Sequence, residues 1–273
     1  MGLGFYLQQP FAQHALVAAT LVAVAAGIIG PFVVVRGAAF AVHGTAELSF
    51  TGAAAGLVAG GDPLVGALLG SLVVAVAIGL LGVRERERDS AIGVILAFGL
   101  GVGVYLLGRY HGFASAATNI LFGQIFGVSS GQLAILAGVA GGVIAAMAVL
   151  YRPLLFASLD PDVAAARGVP VREVGLAFLV VLALTVTEAA QVVGTLLVLS
   201  LTITPAAAAQ RLTARPGAVT ALAVAFALVA ADGGLILSLV TDVKASVLVA
   251  TISFGLYLVA RAAARARSVA AVR

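Results

Sequence analysis

Nine times along its 273 residues the chain runs for a bilayer's width with almost no charge, and that repetition limits it to very few folds. The runs fall at about 12–35, 40–60, 64–83, 90–108, 132–151, 174–190, 192–209, 217–240 and 245–260. As helices rising about 1.5 Å per residue, such runs match a hydrocarbon core about 30 Å thick. Lipid offers no partner to an unpaired backbone N–H or C=O, so only helices or closed barrels cross it, and these runs are too long and continuous for barrel strands. The composition agrees: 62% of the residues are hydrophobic and 10% charged, whereas a soluble domain is roughly half apolar and a quarter charged. The expected fold is therefore an all-α integral membrane protein, a polytopic helical bundle of about nine transmembrane helices (eight to ten) forming one domain over residues 1–273.

Charge sets the expected orientation. In a nine-span path, Arg36, Arg84, Arg86, Arg88, Arg152, Arg167, Arg172, Arg211, Arg215, Arg261, Arg265, Arg267 and Arg273 all fall on one side, and only Arg109 and Lys244 on the other. The positive-inside rule makes the crowded side cytoplasmic, with the N-terminus outside and the C-terminus inside a prokaryotic plasma membrane. The net charge of +4 is thus read as topology rather than as a nucleic-acid surface. No basic segment precedes the first run, so it is read as a retained span and not a cleaved leader. The tightest place is 175–209, where two short spans must turn near Glu188–Gly194. Merging them would move Arg211 and Arg215 to the wrong side.

Several functions are excluded by what is missing. The one lysine, Lys244, precedes Ala245, so no GxxxxGK[ST] phosphate loop exists and the chain carries no ATP site of that kind. With no Cys, imidazole and carboxylate are the strong metal ligands left. No HExxH string is present, and nothing assembles an intramembrane enzyme. Asp62-Pro63, Asp160-Pro161 and Arg215-Pro216 read as helix starts, a Pro at the first helical position losing no hydrogen bond there. Thr204-Pro205 is expected to kink or end the seventh span. The run RERERD at 84–89 reads as a compact charged loop, Asn119–Val128 as an interfacial or re-entrant helix, and Asp242 as the N-cap of the last span. His14 and His111 read as interfacial or surface residues.

Polar residues inside the apolar runs are costly and mark paths or partners. In RGAAFAVHGTAELSFTGAAAGLVAG, residues 36–60, His43 and Glu47 lie four apart on one helical face, about 10 and 16 Å beyond Arg36. Gly52, Gly56 and Gly60 form GxxxGxxxG on another face, the pattern by which membrane helices approach closely. Glu188 and Gln191 are placed at an outer turn and read as a polar turn or gate. Asp232, followed by Gly233-Gly234, sits where a helix can break and expose carbonyls to a path. The stretch DPDVAAARGVPVREV, 160–174, reads as a capped short helix on the cytoplasmic side, with Asp160, Asp162, Arg167, Gly168 and Arg172 as its docking residues.

Four stretches together carry a resemblance: the 36–60 segment, TNILFGQIFGVS, DPDVAAARGVPVREV and LALTVTEAAQVVGTLLVLSLTITPAAAA. The chain resembles the permease subunits of metal-ion ABC importers of the ABC-3 type, which carry zinc, manganese or iron(II). The resemblance implies a type II ABC importer-like fold and a transport subunit rather than an enzyme. It also implies cytoplasmic ATP-binding subunits that hydrolyse ATP, an extracytoplasmic metal-binding protein and a second permease copy, most often identical. No covalently bound cofactor is implied, and the divalent ion, zinc first and then manganese or iron, is cargo. On this resemblance 160–174 is the coupling helix. His43 and Glu47 replace, in exchanged order, an Asp and a His of the family's metal path. A siderophore or cobalamin permease, or an ion-coupled secondary transporter, is the alternative.

Overall fold

The computed structural model describes residues 5–6, 8–81, 85–110, 123, 125–195, 198–241 and 243–271. Eleven helices and one 3-10 turn account for nearly all of them. In chain order they are α1 (Pro10–Val35), α2 (Ala39–Val58), α3 (Pro63–Leu81), α4 (Glu85–Arg109), the 3-10 turn Ile125–Gly127, α5 (Ser130–Leu159), α6 (Pro161–Ala166), α7 (Val171–Val193), α8 (Val198–Thr202), α9 (Thr204–Leu212), α10 (Pro216–Ser238) and α11 (Ala245–Ala271). Seven of these are long and apolar enough to cross a bilayer. The 20-residue α2 is long enough as well, but His43, Thr45, Glu47, Ser49 and Thr51 make it more polar.

Burial separates an axis from a periphery. In α1 and α7, 67% of the apolar window is buried, against 17% in α4 and α11 and 22% in α5. On these outer helices Val94, Phe98 and Val149 are 72, 75 and 78% exposed. Water would penalise so continuous an apolar surface, and lipid does not. The core itself is built from small side chains. Ala12, Ala15, Ala18, Ala19, Ala23, Ala25 and Ala26 of α1 are fully buried, so neighbouring helices reach close to its backbone.

The start signals hold. The Asp62 carboxylate accepts from the Leu64 N–H at 2.7 Å, Asp160 from the Val163 N–H at 3.0 Å, and α10 starts at Pro216. A capping box of Ser129 and Gln132 opens α5. Three helices outrun their apolar runs. Helix α5 continues past Pro153 to Leu159, 30 residues or about 45 Å, and α11 continues to Ala271. Over its described part the charged run at 84–89 is not the expected loop: α4 starts at Glu85, so residues 85–89 extend the spanning helix at its start. Arg84, Asp242, His111 and half of Asn119–Val128 lie outside the described residues; of the last, Ile125–Gly127 forms the 3-10 turn.

The narrow stretch 175–209 does turn. Helix α7 ends at Gly194, whose φ of 87° no L side chain adopts cheaply. The chain then returns in two pieces, α8 and α9, where one seventh span was expected. Pro205 lies at the start of α9, and its missing N–H interrupts the helix just before it. Side-chain contacts fix the direction of return. Arg36 Nη1 donates to Ser158 Oγ at 3.1 Å and its guanidinium lies 5.3 Å from the Phe178 ring. Gln210 Nε2 donates to the Pro31 carbonyl at 3.3 Å, and Arg267 Nη1 to the Leu212 carbonyl at 3.3 Å. The ends of α1, α5, α9 and α11 and the start of α7 therefore share one arginine-rich end, as the charge argument requires.

Candidate functional site

Helix α2 is clamped on two sides. Gly52 and Gly56 meet Gly66 of α3, and Gly70 lies 2.8 Å from the Gly52 Cα by the position a Cβ would take. The two backbones touch, which is the packing read from the glycine spacing. Gly60 takes no part, since it lies beyond the helix in the turn to α3. On the second side Thr51 Oγ1 donates to the Gly99 carbonyl of α4 at 2.8 Å, while Leu48 packs against Gly99.

Five residues earlier than Gly52, about 140° around the helix axis, Glu47 is 4% exposed. Among the described residues no hydrogen bond reaches its carboxylate, and the group that acts on it electrostatically is His43 one turn below. The His43 ring is half-buried, with Nδ1 enclosed and without a hydrogen-bond partner among the described residues. A carboxylate and an imidazole nitrogen thus stand together inside the bundle with open valences. They amount to two donor groups. No group of three or more His, Asp or Glu able to hold a metal occurs among the described residues, so an ion held here would take its other ligands from water or another chain.

The other residues singled out lie elsewhere. Glu188 is not at a turn: α7 continues to Val193, which leaves the carboxylate 1% exposed inside the bundle, beside the Ala140 backbone of α5 and without a well-formed hydrogen bond among the described residues. Gln191, in the last turn of α7, is half-buried. Asp232 sits in an unbroken α10, because Gly233 and Gly234 continue the helix to Ser238. Gly234 instead lets α10 press on Val249 of α11. The Thr20 hydroxyl of α1 lies 3.2 and 3.3 Å from the two Asp232 oxygens, clasping α1 to α10. The short helix expected within 160–174 is α6, six residues long. Asp160 caps it, Asp162 and Arg167 are exposed, and Gly168 with φ 81° reverses the chain. Arg172 is exposed in the first turn of α7. Ala164 alone is buried and seats α6 on the bundle.

Sequence reasoning missed the Thr20 clasp and the enclosed hydroxyls of Thr195, Thr202 and Ser253, which have no hydrogen-bond partner among the described residues. A lone Thr in an apolar run gives no local sign of a partner 212 residues away. The string GVSSG at 127–131 does spell a GxSxG motif, but Ser129 accepts from the Gln132 N–H at 3.2 Å as a helix cap. It is not on the strand-to-helix turn that a nucleophile needs.

Fold and site together define a polytopic membrane permease with a polar helix packed into the bundle and an exposed short helix at its arginine-rich end. The chain belongs to the ABC 3 transport family, whose profile matches residues 8–264. It is 32% identical over 254 residues to the manganese transport system membrane protein MntC of Halalkalibacterium halodurans, covering 92% of this chain and 87% of that one. It is 31% identical over 203 residues to the manganese import system permease protein ScaB of Streptococcus parasanguinis, covering 73 and 71%. Among solved structures it is similar to PsaBC from Streptococcus pneumoniae in complex with Fab, with a TM-score of 0.85, 27% identity and 94% of each chain covered. As a family permease it transports rather than catalyses, and ATP hydrolysis belongs to a separate subunit. The secondary-transporter alternative falls with that membership.

Proposed function

We propose that this chain forms the membrane path of an ATP-driven importer for divalent first-row metal ions, with manganese as first cargo and zinc and iron(II) behind it. The observation that carries the reading is the His43–Glu47 pair, one nitrogen and one oxygen ligand a turn apart in the polar helix, with no protein donor among the described residues occupying either. A carboxylate with imidazole suits Mn²⁺ and Fe²⁺ as well as Zn²⁺. The names of the relatives favour manganese over the zinc placed first on the resemblance. A siderophore or cobalamin path has no use for two such ligands at this depth.

In this reading two permease copies stand side by side and offer two pairs to the ion. An extracytoplasmic binding protein delivers the metal, and ATP-binding subunits engage α6 through Asp160, Asp162, Arg167, Gly168 and Arg172. The arginine-rich end is cytoplasmic and the N-terminus outside. The transport cycle then amounts to opening the bundle to each side in turn, with the pair exchanging ligands for the ion's lost water. Glu188, with Gln191 near the outer end of α7, is assigned to an outer gate.

The test is uptake of radiolabelled Mn²⁺ by the complete transporter in proteoliposomes. His43→Ala and Glu47→Ala should each lower uptake at least tenfold while the subunits still co-purify. Normal uptake by both variants overturns the site. Uptake of zinc but not manganese by the unaltered transporter overturns the cargo.

A further inference from the structure

A cavity of about 230 Å³ opens at the arginine-rich end, between the last turns of α1 and α5 and the turn from α9 to α10. Its wall is apolar, with Phe32, Val35, Leu155, Leu159 and Val219 among the lining side chains. The polar groups within it are already paired. Tyr151 and Thr220 share a hydrogen bond of 3.2 Å, and Gln210 donates to Pro31. No acidic side chain lines it. The acid nearest in sequence, Asp160, follows Leu159 and accepts from the Val163 N–H.

The rim is of the opposite character. Arg152 follows lining residue Tyr151, Arg211 follows Gln210, and Arg215 stands between Ala214 and Pro216; the backbones of all three thus border the cavity, and all three side chains are exposed. The cavity lies where spanning helices leave the apolar layer, so the membrane itself supplies a molecule with an apolar end and a charged one at that level. We infer that this cavity is a binding site for an anionic phospholipid, with part of one acyl chain in the groove and the phosphate among Arg152, Arg211 and Arg215. Arginines at a membrane surface favour anionic headgroups and present several donors to a phosphate. A wholly soluble ligand would leave the apolar wall wet, and a neutral lipid would leave three cations at the mouth without a counter-charge. The site is separate from the His43–Glu47 pair and does not depend on which metal is carried.

The experiment uses the full chain, purified in mild detergent and offered phosphatidylglycerol or phosphatidylcholine of the same acyl composition, with retained lipid counted by native mass spectrometry. The unaltered chain should retain phosphatidylglycerol about tenfold over phosphatidylcholine. Arg152→Gln and Arg215→Gln should each reduce that preference roughly fivefold. Ala214→Trp, which fills the mouth, should reduce retention of both lipids, while Ala214→Ser should not. Because Ala214→Trp can also disturb folding, a benzophenone side chain at 214 supplies a second readout and should cross-link to phosphatidylglycerol. Equal retention of the two lipids overturns the inference, as does unchanged retention by a folded Ala214→Trp chain. A cross-link from 214 to an ATP-binding subunit, or to a second copy of this chain, in place of lipid overturns it too.

Discussion

At the scale of single residues, the same apparent chemistry has two different outcomes in this bundle. Asp232 and Glu47 are both carboxylates placed in apolar helices, yet Asp232 is clasped by Thr20 and Glu47 has His43 as its neighbour and no hydrogen bond among the described residues. The first arrangement holds helices together, and the second leaves ligand valences open. Thr20→Val should therefore lower stability by about 1 kcal/mol, the scale of an interhelical hydrogen bond in a membrane, and leave metal uptake near normal. Thr20→Ser should restore the stability. Denaturation followed in mixed micelles, read beside uptake, separates the two effects; a large loss of uptake with unchanged stability would instead place Asp232 on the path. The pair on α2 was legible from spacing alone, since two polar residues four apart in an apolar run share a face in any helix. The environment of Asp232 was not. Its meaning depended on a hydroxyl contributed by α1, and on Gly233 and Gly234 serving close packing rather than a helix break.

At the scale of elements, apolar runs, Pro starts and glycine spacing located the spanning helices well, because hydrophobic length is the dominant constraint in lipid. Ends were less legible where a helix leaves the membrane. There α4, α5 and α11 gain turns that no apolar run announces, since charged and alanine-rich turns are stable in helix once a spanning segment has nucleated them. The broken return of α8 and α9 was half legible: Pro205 announced an interruption, but not that two short helices replace one span. The α2–α3 crossing offers a direct check. Gly66→Leu places a side chain where the Gly52 carbonyl stands, and overpacking of this kind costs about 1–3 kcal/mol or more. Such a chain should express poorly or lose thermal stability, whereas Gly61→Leu, in the exposed turn, should not. Equal stability of the two would refute a backbone-to-backbone contact. For α6, reversing charge by Arg167→Glu should weaken co-purification with the ATP-binding subunit without changing the fold of the permease, because the side chain is exposed and Ala164 still seats the helix.

At the scale of the whole molecule, orientation is the property with most consequences, since it decides which end receives the ion. The contacts at Arg36, Gln210 and Arg267 collect the arginines at one end, and the orientation proposed above from the positive-inside rule puts that end in the cytoplasm. The chain has no Cys, so single cysteines introduced at exposed sites report without background. An impermeant maleimide applied to intact cells should label Ala59→Cys and spare Ala262→Cys, and opening the membrane should expose the second. The reverse pattern would turn the path over. The gathering of arginines at one end was legible in the sequence itself, because they divide so unevenly between the two sides of a nine-span path.

One consequence lies in the alanines of α1. Seven methyl side chains line the buried length of the central helix, and a surface of methyls has shallow ridges with little to interlock. Large side chains in the same places would act as gear teeth and bind each neighbour to one register. Here register along the axis rests instead on a few point contacts, Thr20 on Asp232 and Gly30 against the Thr202 carbonyl.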